Sequence, residues 1–564
     1  MPHADRTKNS PSKALRRMVI AAGGGLVLAV ALVSALAGSA AASGSPATAK
    51  VASAQPQSGG TIYYAAEQEP PCLQGGWVQE AYIERQYADS LVSQVSSGHV
   101  VPWLATSWSI SANGLTYTFH LKSGVKFTDG TPLNAQAVVD NFDYWTNPKT
   151  ANGDVDAFIG PYFKSAVATG PLTVQVNLIK PYAPLLSTLS QGYDGILSPK
   201  GLARGVAANC TDPIGSGPFI IQKWNHGQNI VFVRNPKYNS APANAVHQGP
   251  AYAAKLVWSF VSDGTTRWGS LTSGESDVIY DVPTVDWPEA VSQYDTKQYI
   301  TPGRPDTLTL DTYHGPFTSE LVRQAFAYAI NRPQAVKSAF NGEIPYDGNG
   351  ALSLSTPDYD AALDDSLPYN PAKAKALLAQ AGYTGHNAAG YATKDGKELT
   401  ITLPYNAGTV VNSEGVTLLQ DLQQEWKAAG FNVQLIPLTE SQTFSGVDSG
   451  PTAVDASLGY WTSPTPGVLY IVWRFWNTKD PDFANTAYYD NTQLVNLIQD
   501  ANSASSPAVQ RADYDAAQKI VVDTAAVIGL YVQTTSDAWS KNLHDFWIED
   551  SQGEPVFDDA YLTK

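Results

Sequence analysis

Cysteine is almost absent from this 564-residue chain: Cys72 and Cys210 are the only two. With none ahead of Cys72, a lipid anchor on a processed N-terminal cysteine is excluded. Charge is also scarce, at 15% of residues against 43% apolar, and basic residues are the minority, 35 against 51 acidic. The net charge is −16, and because residues 1–42 carry +4, the remainder holds −20. Such a surface repels nucleic acid. The eight histidines form no HExxH and no paired metal spacing. Gly215-Ser216-Gly217 is not the GxSxG elbow of a nucleophilic serine and reads instead as a tight backbone turn. No phosphate-cradling glycine loop occurs. The expectation is a protein that is not an enzyme, with no catalytic residue, no metal and no cofactor.

What is present is a folded, aromatic-rich composition, with 14 Trp and 29 Tyr, long enough for two or three domains. Arg16-Arg17 closes a basic start, Met18–Ala37 is apolar, and Ala40-Ala41-Ala42 offers a cleavage site. Residues 1–42 are therefore expected to be a signal peptide or an uncleaved N-terminal membrane anchor. Both the plain secretory and the twin-arginine routes stay open. Residues 43–58 form a flexible linker. In an exported chain the lone cysteine pair reads as one disulfide, Cys72 to Cys210.

Between residues 61 and 300 strands and turns dominate. Thr116–Leu121 alternates, and Phe219–Trp224 with Ile230–Arg234 reads as a hairpin about His226-Gly227-Gln228. One helix is clear, capped by Asn134 and burying Ala135, Val138, Phe142 and Trp145. From about Pro302 helices alternate with strands. Asn370-Pro371 opens a helix that Gly382 closes. Leu399–Leu403, the helical face Val416, Leu419, Leu422 and Trp426, the cap Gly430, and Phe431–Ile436 make a β-α-β unit with parallel strands. A strand at Thr452–Leu458 is expected to end in Gly459-Tyr460-Trp461, which would put these aromatics beyond its carboxyl end, where open α/β sheets collect ligands. Trp473 and Trp476 read as core.

The stretch TSWSISANGLTYTFHLKSGVKFTDGTPLNAQAVVDNF, ending at Phe142, is locally a strand, an Asp129-Gly130 turn and a capped helix, with nothing in it that needs to react. As a pattern it strongly resembles family 5 extracellular solute-binding proteins, the dipeptide, oligopeptide and nickel-type binders of ABC importers. SGGTIYYA (Ser58–Ala65), PIGSGPF (Pro213–Phe219), SGESDVIYDVP (Ser273–Pro283), ELVRQAFAYAINRPQAV (Glu320–Val336) and YNPAKAKALLAQAGY (Tyr369–Tyr383) are similar to further family blocks, in the same order. The resemblance implies an α/β, two-lobed clamshell of the periplasmic-binding-protein kind (type II, large cluster C-like) with an extra domain on lobe one. Lobe one would span 59–302 and lobe two 303–533, with 534–564 returning to lobe one. It also implies a monomer on the extracytoplasmic face of the membrane or in the periplasm. This would capture a small-molecule ligand and deliver it to ABC permease subunits.

By the same resemblance, ligand contacts cluster at LGYWTSPTPGVLY (Leu458–Tyr470), which makes Tyr460, Trp461, Thr462 and Ser463 candidates. Peptide-binding relatives carry an Asp just after the aromatic residue to hold the α-ammonium. Here Thr462 and Ser463 stand instead, and a hydroxyl does not neutralise a buried ammonium. Glu67, Gln68 and Glu69, after the first strand, are candidates to supply the missing carboxylate. Short peptides are the expected ligand. An oligosaccharide or another uncharged amphiphile is the alternative, nickel chelate a third, and an exported sensor with no transport role the alternative of another class.

Overall fold

The strand Thr61–Ala66 is buried along most of its length because it runs through the middle of a seven-stranded sheet. It pairs in parallel with Lys255–Phe260 on one side and Val278–Ile279 on the other. Across the sheet the order is Asp295–Ile300, Thr534–Trp539, Val278–Ile279, Thr61–Ala66, Lys255–Phe260, Asn229–Arg234 and Phe219–Asn225. The computed structural model describes residues 56–74, 78–95, 99–150, 153–408, 410–475 and 485–563. The leader, most of its linker and Trp476 lie outside them. No helix among the described residues is long and apolar enough to cross a membrane.

The hairpin about residues 226–228 is antiparallel, with Phe219 opposite Arg234, and Gly227 takes the positive φ of 71° that its turn requires. A separate antiparallel sheet orders Ala105–Ile110, Thr116–Leu121, Thr173–Leu178 and Phe163–Gly170. Against it lies the helix Ala135–Trp145, whose first turn is capped by Asn134 Oδ1 accepting from the Ala137 N–H at 2.9 Å. Asp129 accepts from the Thr131 N–H (2.7 Å) and from Ser198 Oγ (2.6 Å), so the Asp-Gly turn is scaffold. The glycines of Gly215-Ser216-Gly217 are needed because the Tyr87 carbonyl presses on both: a Cβ at Gly215 would lie 2.1 Å from it. Cys72 and Cys210 form a disulfide with Cα atoms 4.7 Å apart.

Residues 303–533 carry three smaller sheets, one of them a short antiparallel meander over 385–398. Gly303–Leu310 lies between Ala456–Thr462 and Val527–Tyr531, antiparallel to both. Thr400–Asn406 and Asn432–Leu438 are parallel in the register Thr400 to Asn432, joined by the helix Ser413–Ala429. Asn412 Oδ1 caps that helix on the Gly415 N–H (2.9 Å), and Gly430, at φ 109°, ends it. Trp426 is fully buried, stacked on Phe326 at 4.3 Å between ring centroids. Residues 301–302 and 532–533 run side by side between the seven-stranded sheet and the sheet of Gly303–Leu310, the Thr301 N–H donating to the Gln533 carbonyl at 2.8 Å. Trp473 is core, in one buried cluster with Tyr64 and Trp258.

Two expectations need correction. The strand expected at Thr452–Leu458 runs instead over Ala456–Thr462, because pairing with Gly303–Leu310 sets its limits from Leu310 opposite Ala456 to Gly303 opposite Thr462. Tyr460 and Trp461 therefore stand within an antiparallel ladder and not beyond a parallel strand's end. Nor is the region 61–300 nearly free of helix: Val78–Tyr87, Gly264–Ser273 and Trp287–Gln293 are helical. Val78–Tyr87 escapes sequence reading because the side chains it buries include Gln79, Glu80, Glu84, Arg85 and Gln86, which erases the apolar stripe.

Candidate functional site

A cavity of about 440 Å³ opens between the lobes, a volume in the range that encloses a small ligand. Glu67, Asp263, Arg267 and Asp281 line it from the side of the seven-stranded sheet, Phe340, Asn412, Glu414 and Tyr531 from the other, and Val532 and Gln533 line it too.

Each of these side chains is positioned locally. Glu67 follows the last residue of the central strand and accepts from Gln79 Nε2 at 3.1 Å. Asp281 sits at φ 52°, a left-handed backbone that Asp tolerates better than most residues. Glu414 lies in the first turn of Ser413–Ala429, where the helix dipole favours a carboxylate. It also accepts from the main chain and hydroxyl of Thr284, at 3.3 and 3.5 Å, across the gap between the lobes.

Arg267 is the only basic residue lining the cavity among the described residues. Its guanidinium is committed to main-chain carbonyls: Nε donates to Tyr280 (2.8 Å), Nη1 to Val261 (2.8 Å) and Ser262 (3.0 Å), and Nη2 to Asp281 (3.3 Å). Among the described residues the carboxylates are thus left without a dedicated ion-pair partner. Burial pushes Glu67 up to about 7, against the attraction of Arg267. Burial likewise pushes Asp281 up to about 6, with Arg267 pulling down and Glu414 adding repulsion from the opposite lobe. Such a space attracts positive charge.

Among the sequence candidates only Glu67 lines the cavity, and Tyr460 stands near enough to feel its charge. Burial raises the Tyr460 hydroxyl, and the fields of Glu67, Asp306 and Asp281 raise it further. Trp461 is half-buried, opposite Arg304 in the ladder. Thr462 Oγ1 accepts from Gln552 Nε2 at 3.3 Å. The Ser463 hydroxyl closes a local turn, donating to the Thr465 carbonyl at 3.0 Å. Gln68 is buried. Glu69 is drawn away to the hairpin, accepting from the Gly227 N–H (2.7 Å) and facing His226 Nδ1 (3.0 Å). Asp281, Glu414, Arg267 and Tyr531 were missed. The visible signals were Asp281 inside the SGESDVIYDVP block and the helix start Asn412-Ser413-Glu414, neither of which announces a cavity.

Three comparisons bear on this arrangement. The profile described as bacterial extracellular solute-binding proteins, family 5 middle, matches residues 99–483. The glutathione-binding protein GsiB of Escherichia coli strain K12 is 29% identical over 469 residues, covering 81% of this chain and 85% of that protein. The oligopeptide-binding protein AppA of Bacillus subtilis, solved with a nonapeptide, superposes with a TM-score of 0.77 at 23% identity over 90% of this chain and all of that one. NikA of Brucella suis, solved with Fe(III)-EDTA, gives 0.74 at 22% identity over 89% of this chain and all of the other.

Proposed function

The chain belongs to family 5 of the bacterial extracellular solute-binding proteins, and from that premise we propose that it captures short peptides between its lobes and delivers them to ABC permease subunits. The observation that carries the peptide reading is the cavity's charge. Glu67, Asp263, Asp281 and Glu414 line it against one arginine among the described residues, whose N–H groups are taken up by main-chain carbonyls, so an α-ammonium finds an excess of carboxylates. One of them takes the place of the Asp that Thr462 and Ser463 do not supply. Tyr460 and Trp461, outside the cavity's lining, would meet a ligand that extends beyond it, with Thr462, Ser463 and Gln68 beside them, while Glu69 acts by holding the hairpin.

The lobes are residues 59–302 with 534–564, and 303–533. Support for this division comes from strand membership: Thr534–Trp539 joins the seven-stranded sheet, and Gly303–Leu310 begins the second lobe's. The protein works as a monomer and makes or breaks no bond in its ligand. Ligand touches both lobes only when they are closed, and so draws the population towards closure. ATP hydrolysis belongs to the partner subunits.

Calorimetric titration with a peptide pool, the same pool N-acetylated, and a cello-oligosaccharide pool tests the reading. Heat from the free peptides, reduced by acetylation, is expected. Heat only from the sugars would replace the peptide by an oligosaccharide.

A further inference from the structure

The cavity holds more negative charge than one α-ammonium balances. Glu67, Asp263 and Asp281 reach it from the first lobe and Glu414 from the second. Directly opposite the lining residue Tyr531 in the ladder stands a further carboxylate, Asp306, outside the lining itself. Asp306 is 0% exposed, and neither of its oxygens has a hydrogen-bond partner. Arg304, two residues away on the same strand, attracts it, yet the pair makes no ion pair among the described residues. A buried carboxyl group left without hydrogen bonds is costly. Glu67, Asp263, Asp281 and Glu414, each hydrogen-bonded but none in an ion pair among the described residues, gather around one space, and the only arginine lining it among those residues is turned to carbonyls. A structural role would be served better by ion-paired or apolar side chains.

Resting on the peptide reading above, we propose that this site selects peptides carrying a second positive charge next to the N-terminus, a lysine or arginine in the first position. The α-ammonium and the basic side chain together bridge Glu67 and Asp281 of one lobe to Glu414 of the other. In the empty cleft Asp281 and Glu414 repel each other across the gap, and a dication converts that repulsion into attraction between the lobes. Discrimination and closure then share one cause. A neutral first side chain leaves one or more carboxylates either unpaired or protonated, and binds less tightly for it.

The test is calorimetry of the purified protein at pH 7.5 and low salt, with Lys-Ala-Ala and norleucyl-Ala-Ala, which has a similar side chain without the ammonium. The lysine peptide is expected to bind about tenfold or more tightly, the scale of one charge-assisted contact. Equal affinities would overturn the selectivity and leave the peptide reading standing. Absence of heat from both peptides would remove the peptide reading and this inference with it. In Glu414→Gln and Asp281→Asn the ratio between the two peptides should fall towards one. Both replacements keep side-chain shape, and Asn tolerates the φ of 52° at position 281. Folding is checked by circular dichroism. A ratio unchanged in both folded variants would place the preference elsewhere and overturn the assignment to this cavity.

Discussion

Glu67 and Asp281 are carboxyl groups held above the ordinary range near 4, at about 7 and about 6, first by burial. The folded protein therefore binds more protons than the unfolded chain between roughly pH 4 and 7. Their contribution to the stability of the empty protein is fully present below the unfolded values and is lost as pH rises through 6 and 7. A cationic ligand reverses the preference, since it favours the ionised forms and releases protons as it binds. Peptide affinity should accordingly rise by about tenfold or more from pH 5.5 to 7.5, while the melting temperature of the empty protein falls. Calorimetry in two buffers of different ionisation enthalpy, near pH 6.5, counts the protons released. Zero release would separate these carboxyls from the ligand.

The helix Ser413–Ala429 does two jobs through its first turn. Asn412 satisfies the Gly415 N–H, and Asn412 and Glu414 both line the cavity, so capping and ligand chemistry share one turn. Asn412→Ala should cost about 1 kcal/mol of stability, read as a lower urea midpoint, and should weaken peptide binding as well. Lost stability with unchanged affinity would confine Asn412 to capping. The same coupling shows at Ala456–Thr462. Its alternating burial directs Leu458 into the second lobe's core, while Trp461 packs against the cluster that contains the first lobe's strands. The strand thus belongs to one lobe by its ladder and meets the other by a side chain. Its register was not legible in the sequence, because it depends on Gly303–Leu310, about 150 residues away.

On the scale of the whole molecule, two connecting segments lie side by side at Thr301 and Gln533, and Val532 and Gln533 of one of them line the cavity. Adjacent crossings allow one lobe to rotate on the other with little change inside either, which is what a population shift between open and closed states requires. The disulfide ties residues 138 apart within the first lobe and spans no crossing, so it leaves that rotation free. Solution scattering should show a smaller radius of gyration with saturating peptide than without it. An unchanged radius in a protein that binds peptide by calorimetry would replace the hinged capture described here by binding to a rigid cleft.

By itself the sequence determined what depends on neighbours along the chain: the cap at Asn134, the hairpin turn at Gly227, the helix end at Gly430, the parallel pair about Ser413–Ala429, and the family pattern running through them. These are local hydrogen-bond and backbone demands, and local residues meet them. Only the tertiary structure decided that Glu67 faces the cavity while Glu69, two residues on, secures a turn. It alone brought Asp281 and Glu414 to the same space and committed Arg267 to carbonyls. Charge around a cavity is set by groups far apart in the chain, and whether a carboxylate there is balanced or bare depends on what the intervening fold places beside it.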